Sequence, residues 1–246
     1  MLKLVCTPID VTIFESVRKI ARRYDSREAK RRILSACVKL FIEHGYKETT
    51  MNDILSSADV SCGTFQNIFK TKSGVLFELV RFMFDAQFSQ ASSIAEKEKP
   101  YLVYAVETAV QIAIVERNEN LRQIYTVAYN TPSTAEYLYQ KTSTKLFELF
   151  SSYLPAFSES DFYELEIGTA GIMRGYMMRP CDKYFTLEKK FSRFLDMSLC
   201  AYGIPPEERK EAVDFVLKKG IEKIADGVLQ ELFAFLEMEF DFSLSK

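Results

Sequence analysis

The chain has 246 residues, of which 27% are charged and 48% are apolar, and it contains only 9 glycines and 7 prolines. These values fit one large or two smaller globular domains and exclude collagen, low-complexity and coiled-coil rod proteins. The apolar runs are shorter than the roughly 20 residues that a membrane span needs, and residues 1–12 do not resemble a signal peptide. We therefore expect a cytoplasmic protein with no membrane partner.

Cysteine and histidine are too sparse for several kinds of active site. The five cysteines are scattered, without a C-x-x-C pair, and His44 is the single histidine. A disulfide framework, a zinc site or a hydrolase with a Ser–His pair is therefore not expected. We predict a protein that is not an enzyme and that needs no metal and no cofactor.

The net charge of −2 hides a difference between the two ends of the chain. Residues 16–72 hold 12 lysines and arginines against 6 aspartates and glutamates, whereas residues 73–246 hold 19 against 26. A basic segment joined to an acidic remainder is typical of a nucleic-acid-binding module attached to another domain. A solvated basic helix gives the same balance, so charge alone does not decide between the two.

Apolar spacing predicts helices along the whole chain and almost no strand. The first predicted helix covers 26–44 and ends at Gly45, since glycine readily takes the left-handed conformation of a helix C-terminus. Thr50 and Asp53 have the spacing of a capping box at the start of a short second helix. After the third helix, the further predicted helices cover 74–96, 101–117, 119–129, 133–152, 159–179, 186–202, 206–219 and 221–239, with prolines at most of the breaks.

The third predicted helix begins at the capping residue Ser61, after a turn at 59–60, and its two faces differ in character. At 100° per residue, one face is apolar and must pack inward; it carries Phe65, Ile68 and Phe69. The opposite face is small or amide-bearing; it carries Cys62, Gly63, Gln66 and Asn67. Small residues allow a close approach to a DNA groove, and glutamine and asparagine can pair with adenine edges or phosphate. Three helices with a tight turn between the last two predict a helix-turn-helix.

This region resembles the DNA-binding domain of TetR-family transcriptional regulators. The resemblance covers 26–84 and is carried by Ile33-Leu34, Phe41, Gly45-Tyr46, Thr49-Thr50-Met51, Asp53-Ile54, Ala58, Val60-Ser61, Gly63-Thr64-Phe65, Phe69-Lys70-Thr71-Lys72 and Leu76. It implies an all-α homodimer in which an N-terminal three-helix helix-turn-helix domain reads a double-stranded DNA operator. It also implies a C-terminal helical domain, here 85–246, that binds a small effector and dimerises; residues 1–25 precede both domains as an extension.

The resemblance also implies roles for individual residues. Thr50 would cap the second helix and contact phosphate, and Lys72 would meet phosphate at the start of the fourth helix. The groove-facing positions would be Ser61, Cys62, Gly63 and Thr64. Gln66-Asn67-Ile68 departs from the family, which usually has aromatic residues and a histidine there, so Gln66 or Asn67 would replace a phosphate contact often made by tyrosine.

Two functions follow from these residues. The first is a ligand-responsive transcriptional regulator, a repressor that a small lipophilic effector releases from a palindromic operator. The alternative, motivated by Gln66-Asn67-Ile68, is a helical ligand-binding co-regulator that has lost operator binding. Basic residues of the extension could add DNA contacts, either on an earlier start of the first helix or on a flexible arm; they are Arg18, Lys19, Arg22 and Arg23.

The C-terminal half offers weaker signals. Helix-interior glycines at 168, 171 and 175 predict a close helix approach, at the dimer interface or beside a ligand. The interface is expected to pair 159–179 with 186–202 or 206–219. Candidate effector-pocket residues are aromatic or sulfur-containing; they are Tyr104, Tyr125, Tyr129, Met173 and Met177. The carboxylates of Asp161, Glu164 and Glu166 are interpreted as helix-start acids that offset the helix dipole.

Overall fold

A computed structural model describes residues 11–95 and 99–236, with side chains from residue 25 onward. Within these ranges the protein is all-α and has no strand. The helices are α1 (Val11–His44), α2 (Met51–Ala58), α3 (Cys62–Ile68), α4 (Lys72–Ile94), α5 (Pro100–Arg117), α6 (Glu119–Asn130), α7 (Pro132–Phe150), α8 (Glu159–Met177), α9 (Leu187–Ala201), α10 (Pro206–Lys218) and α11 (Ile221–Phe235). None of the described helices is both long and apolar enough to cross a bilayer.

The predicted helices are present, and their ends carry the expected signals. Gly45 has φ +90° at the end of α1, and proline occupies the first turn of α5, α7 and α10. Proline suits that position because the first backbone N–H groups of a helix have no partner within the helix. The prolines therefore mark the starts of these three helices.

The first helix is longer than predicted. It begins at Val11 rather than near residue 26, so the basic residues of the extension lie on a helix and not in a flexible arm. No proline or glycine occurs between Pro8 and Gly45, and a helix continues until such a residue or a cap ends it. The side chains of residues 11–24 lie outside the described residues.

Helices α1–α3 form the N-terminal helix-turn-helix domain, and α4 links it to the C-terminal helical domain. The expected boundary after residue 84 falls inside α4, which packs on α5 and α6 as well as on α1. In the C-terminal domain, α5 lies at the centre and contacts α4, α6, α7, α8, α9, α10 and α11. The C-terminal domain therefore begins within a helix that it shares with the helix-turn-helix.

The last helix also connects the two domains. α11 packs on α5 and α4, and the carbonyl of Leu236 just after it accepts hydrogen bonds from Ser35 Oγ at 2.9 Å and Arg31 Nη1 at 3.4 Å. Both donors lie on α1. The end of the last helix is thus bound directly to the first.

The junction between α3 and α4 depends on a glycine. A Cβ added at Gly74 would lie 2.2 Å from the carbonyl oxygen of Phe69, which is backbone and cannot move aside. We expect Gly74→Ala to lower the free energy of unfolding by roughly 1–3 kcal/mol. Gly63→Ala is the matched control, since its Cβ would meet nothing nearer than Ser61 Oγ at 3.8 Å. Urea denaturation of both variants tests this, and equal stabilities would contradict it.

Candidate DNA-binding face and ligand cavities

Two local caps position the helix-turn-helix. The Thr50 hydroxyl accepts the backbone N–H of Asp53 at 3.2 Å, and the Asp53 carboxylate accepts the N–H of Thr50 at 2.8 Å. The Thr50 hydroxyl and backbone N–H both donate to the Asp53 carboxylate, and these hydrogen bonds lower the pKa of Asp53. At the next helix, Ser61 Oγ accepts the N–H of Thr64 at 3.0 Å. The predicted capping roles of Thr50 and Ser61 are confirmed.

Helix α3 presents the two faces that its sequence predicts. Phe65 and Phe69 are buried, at 1% and 7% exposure, and pack in the core of the domain. The opposite face is exposed to solvent; it carries Cys62, Gly63, Gln66 and Asn67. Thr64 is half-buried and its hydroxyl lies 2.9 Å from that of Ser61. The predicted outward residues therefore lie together on one open surface.

Lys72, at the start of α4, is bound within the domain. Its Nζ donates to the carbonyls of Tyr46 at 2.7 Å and Thr49 at 2.8 Å, and it lies 4.4 Å from the centre of the Tyr46 ring. Partial burial lowers the pKa of its ammonium. Since a lysine ammonium has three N–H donors, one remains beyond these two carbonyls for the predicted phosphate contact.

An apolar cavity lies between α4, α6 and α7. Its walls are aliphatic and aromatic, and their polar groups are two glutamines and two tyrosine hydroxyls; they include Leu76, Leu79, Met83, Phe84, Gln87, Gln111, Ile124, Tyr125, Tyr129 and Leu138. Gln87 Nε2 donates to the Tyr125 hydroxyl at 2.7 Å. Such a lining suits a small lipophilic molecule.

A second, smaller cavity lies against α5 and α8 and contains two carboxyl groups. They belong to Glu107 and Glu166, which are 2% and 5% exposed. Aromatic and hydroxyl side chains surround them; these include Tyr104, Thr108, Tyr129, Thr142, Thr169 and Phe194. We refer to this space as the acidic cavity.

Burial keeps both carboxyl groups protonated to unusually high pH. Desolvation raises the pKa of Glu107 to about 7, opposed by the hydrogen bond from Gln111. Desolvation also raises the pKa of Glu166 to about 8, and the nearby charge of Glu107 adds to the rise. Thr169 and Tyr202 donate hydrogen bonds to Glu166 at 3.1 and 3.2 Å, and these bonds partly offset the rise in its pKa.

The predicted effector residues divide between these cavities. Tyr125 lines the apolar cavity, Tyr104 and Met173 line the acidic cavity, and Tyr129 lines both. Met177 is fully buried but lines neither, and its carbonyl accepts a hydrogen bond from Arg122 at 3.1 Å. Four of the five candidates therefore lie at a cavity wall.

Comparison with known proteins agrees with the geometry of the first domain. Residues 33–79 match the family model described as "Bacterial regulatory proteins, tetR family". The helix-turn-helix domain is thus similar to those of TetR-family regulators, as its sequence predicts. The matched segment contains α2 and α3 with both caps, Lys72 and the first turns of α4. The TetR-type sequence and the helix-turn-helix geometry thus coincide.

The similar bacterial regulators match only part of this chain. The HTH-type transcriptional regulator YuxN of Bacillus subtilis is 26% identical over 85 residues, which cover 34% of this chain and 29% of that protein. YvkB of the same organism is 29% identical over 107 residues, covering 44% and 54%. The chain thus matches about half or less of the length of these relatives. A crystal structure of a gamma-butyrolactone receptor (ArpA like protein) aligns at 13% identity and a TM-score of 0.45, covering 82% of this chain and 99% of that one.

Sequence reasoning missed the buried carboxyl groups of the C-terminal domain. Glu166 was interpreted as a helix-start acid, which is wrong: α8 begins at Glu159, and Glu166 lies in its buried interior. Asp161 does act at the helix start, where it completes a capping box with Ser158. The burial of Glu107 could have been predicted from the sequence, because it is the one charged residue between Tyr101 and Val115 in a mostly apolar helix.

The two raised pKa values predict how stability depends on pH. A carboxyl group whose pKa is higher in the folded than in the unfolded state stabilises the fold below its unfolded pKa, and this contribution is lost as pH rises through the folded value. Stability should therefore fall between about pH 5 and pH 9.

Glu107→Gln and Glu166→Gln should each reduce that fall in stability by roughly 1–3 kcal/mol. The exposed Glu164→Gln is the control. Denaturant titrations across this range measure the effect, and wild-type-like pH dependence in both buried variants would contradict it.

Proposed function

We propose that this protein is a homodimeric, ligand-responsive transcriptional repressor, which a small lipophilic effector releases from a palindromic operator. The observation that carries the proposal is the exposed face of α3, where small and amide side chains stand on a capped helix within a TetR-type domain. A recognition helix of this kind lies in the major groove and contacts base edges. YuxN and YvkB carry the name of transcriptional regulators, which supports the same role.

Contacts between α6 and the helix-turn-helix give the effector a route to the DNA-binding face. Asn120 Nδ2 donates to the carbonyl of Ile42 at 2.8 Å, and Gln123 Oε1 accepts the N–H of Lys47 at 2.9 Å. A Cβ at Gly45 would lie 2.9 Å from the Asn120 side-chain oxygen, so α6 fits closely against the end of α1. The same helix carries Tyr125 and Tyr129 at the cavity walls.

Helix α4 provides a second route. Its residues between Leu76 and Phe84 line the apolar cavity, while its first turn holds Lys72 against the loop before α2. A ligand that moves α4 or α6 would change the position of α3. A dimer must keep its two recognition helices about 34–36 Å apart to reach successive major grooves, so a small displacement is enough to release DNA.

The dimer interface is proposed to lie on α8, paired with α9 or α10. The outer face of α8 and its C-terminal end combine glycines and apolar side chains: Gly168, Gly171, Gly175, Ile167 and Met178, of which the last two are 44% and 60% exposed. A Cβ at any of the three glycines would meet no atom within 4 Å. The neighbouring helices each expose charged residues and one large apolar side chain, Met197 on α9 and Leu217 on α10. Exposed apolar surface of this kind favours α8 as the centre of the interface.

Gln66→Ala and Asn67→Ala test the DNA-binding face. If these side chains read bases, each substitution should cost on the order of 1–3 kcal/mol of operator binding. Mobility-shift titrations against the DNA upstream of the protein's own gene, with random DNA as competitor, measure the loss. The exposed Gln140→Ala, far along the chain on α7, is the control. Unchanged affinity in both variants, or no operator binding by the wild type, would favour the co-regulator alternative.

Gly171→Leu and Gly175→Leu test the interface. Because a Cβ at either position meets nothing within the protomer, the fold should survive while close approach of a second copy is blocked. Analytical ultracentrifugation at micromolar concentration should show a wild-type dimer and monomeric variants. Gly227→Leu on α11, which is equally open at its Cβ, should remain dimeric. A monomeric wild type, or dimeric Gly171 and Gly175 variants, would refute this interface.

A further inference from the structure

The apolar and acidic cavities are neighbours that share part of their walls. Gln111 and Tyr129 line both. The Tyr129 hydroxyl donates to Gln111 Oε1 at 2.9 Å, and Gln111 Nε2 donates to Glu107 Oε1 at 2.5 Å. A hydrogen-bonded chain thus leads from the apolar cavity to a buried carboxyl group, and one ligand can occupy both spaces if these two side chains rotate.

Each carboxyl group in the acidic cavity has an oxygen available for a ligand. Glu107 uses Oε1 for Gln111, and Glu166 uses Oε2 for Thr169 and Tyr202. Among the described residues, no hydrogen-bond donor is recorded for Glu107 Oε2 or Glu166 Oε1. A buried carboxylate normally has a charged or multiply hydrogen-bonded partner, because leaving it without one is costly. These two groups therefore have unused capacity to accept charge or hydrogen bonds.

No described residue supplies a positive charge to this cavity. The described residues that line it include neither lysine nor arginine. The titratable groups that face the carboxyls are tyrosines from three parts of the fold, Tyr104 on α5, Tyr129 on α6 and Tyr202 after α9, and burial raises the pKa of each well above its usual value. They remain neutral, so a cationic ligand would carry the positive charge nearest to the two carboxyl groups.

The surrounding rings suit a cation as well. Tyr104, Tyr129 and Phe194 line the acidic cavity, and the Tyr104 and Phe194 rings stack with centroids 6.4 Å apart. The face of an aromatic ring carries negative potential and attracts ammonium groups, more strongly where water is excluded. Carboxyl groups and rings together form the type of site that binds organic ammonium ions.

We propose that the effector of this protein is a lipophilic organic cation, with its charged group beside Glu107 and Glu166 and its apolar body in the cavity between α4, α6 and α7. The inference rests on the proposed function only in calling the ligand an effector, since the binding site is defined without reference to DNA. An apolar body against α4 and α6 would also contact the two helices that hold the helix-turn-helix.

Cation binding should be linked to proton release. Near neutral pH the carboxyl groups are partly protonated, and a cation favours their ionised form. Binding of a permanently charged ligand should therefore tighten as pH rises from about 6 to about 8 and should expel protons. The neighbouring tyrosines stay neutral over this range, so the proton release reports on the two glutamates.

Isothermal titration calorimetry of the full chain without DNA tests the proposal. The probes are decyltrimethylammonium, whose charge is fixed at every pH, with decanol and decanoate as neutral and anionic controls of the same chain length. We expect the cation to bind more tightly than both controls. We also expect proton release, measured as a difference in heat between buffers of different ionisation enthalpy.

Glu107→Gln and Glu166→Gln locate the charged group. Each should weaken cation binding on the order of tenfold to a hundredfold and leave decanol binding unchanged. Glu164→Gln, an exposed substitution on α8, should bind as the wild type. Equal binding of cation and alcohol by the wild type would overturn the proposal even if a variant failed to fold, and so would full cation affinity in both folded variants.

Operator mobility shifts separate this inference from the proposed function. Release of the operator by the cation and not by decanol would support both. Operator binding that responds to decanol but not to the cation would overturn the effector class and leave the repressor intact. Cation binding by a protein that never binds operator would uphold a cation site and refute the repressor.

Discussion

The burial of α5 is the constraint on which the rest of the structure depends. Between Tyr101 and Val115 this helix is apolar on every side apart from a few polar residues, and all of that stretch except Gln111 is buried. A helix that is apolar all round has to be enclosed by others. The surrounding helices enclose α5 on all sides. Glu107 is buried as a result, because it lies on α5.

The helices that enclose α5 also hold the DNA-binding domain. Both α4 and α6 line the apolar cavity. In addition, α4 contacts the loop around Tyr46 and α6 contacts the end of α1. The cavity and the recognition helix are therefore connected through two rigid elements rather than through a flexible linker.

The parts of the structure that follow from local chemistry were predictable from the sequence. Caps at Thr50 and Ser61 and the left-handed Gly45 depend on residues within a few positions of each other, and all three are confirmed. The start of α1 was predictable and was missed, since Ile13, Val17, Ile20 and Ala21 have the helical spacing i, i+4, i+7, i+8 and no proline or glycine interrupts them. The acidic cavity depends on which residues from α5 and α8 meet, and spacing along the chain carries no such information.

The burial of the two carboxyl groups affects how fast a ligand could bind and dissociate. With 2% and 5% of their surfaces exposed, Glu107 and Glu166 would be reached by the proposed ligand only after the Gln111 and Tyr129 side chains move aside. Such rearrangements occur far less often than diffusional collisions, so ligand entry would be limited by the motion of the protein and not by ligand encounter. The same barrier would slow departure. The protein would therefore stay in its ligand-bound state for some time after the free ligand had disappeared from solution. It would not respond to brief changes in ligand concentration.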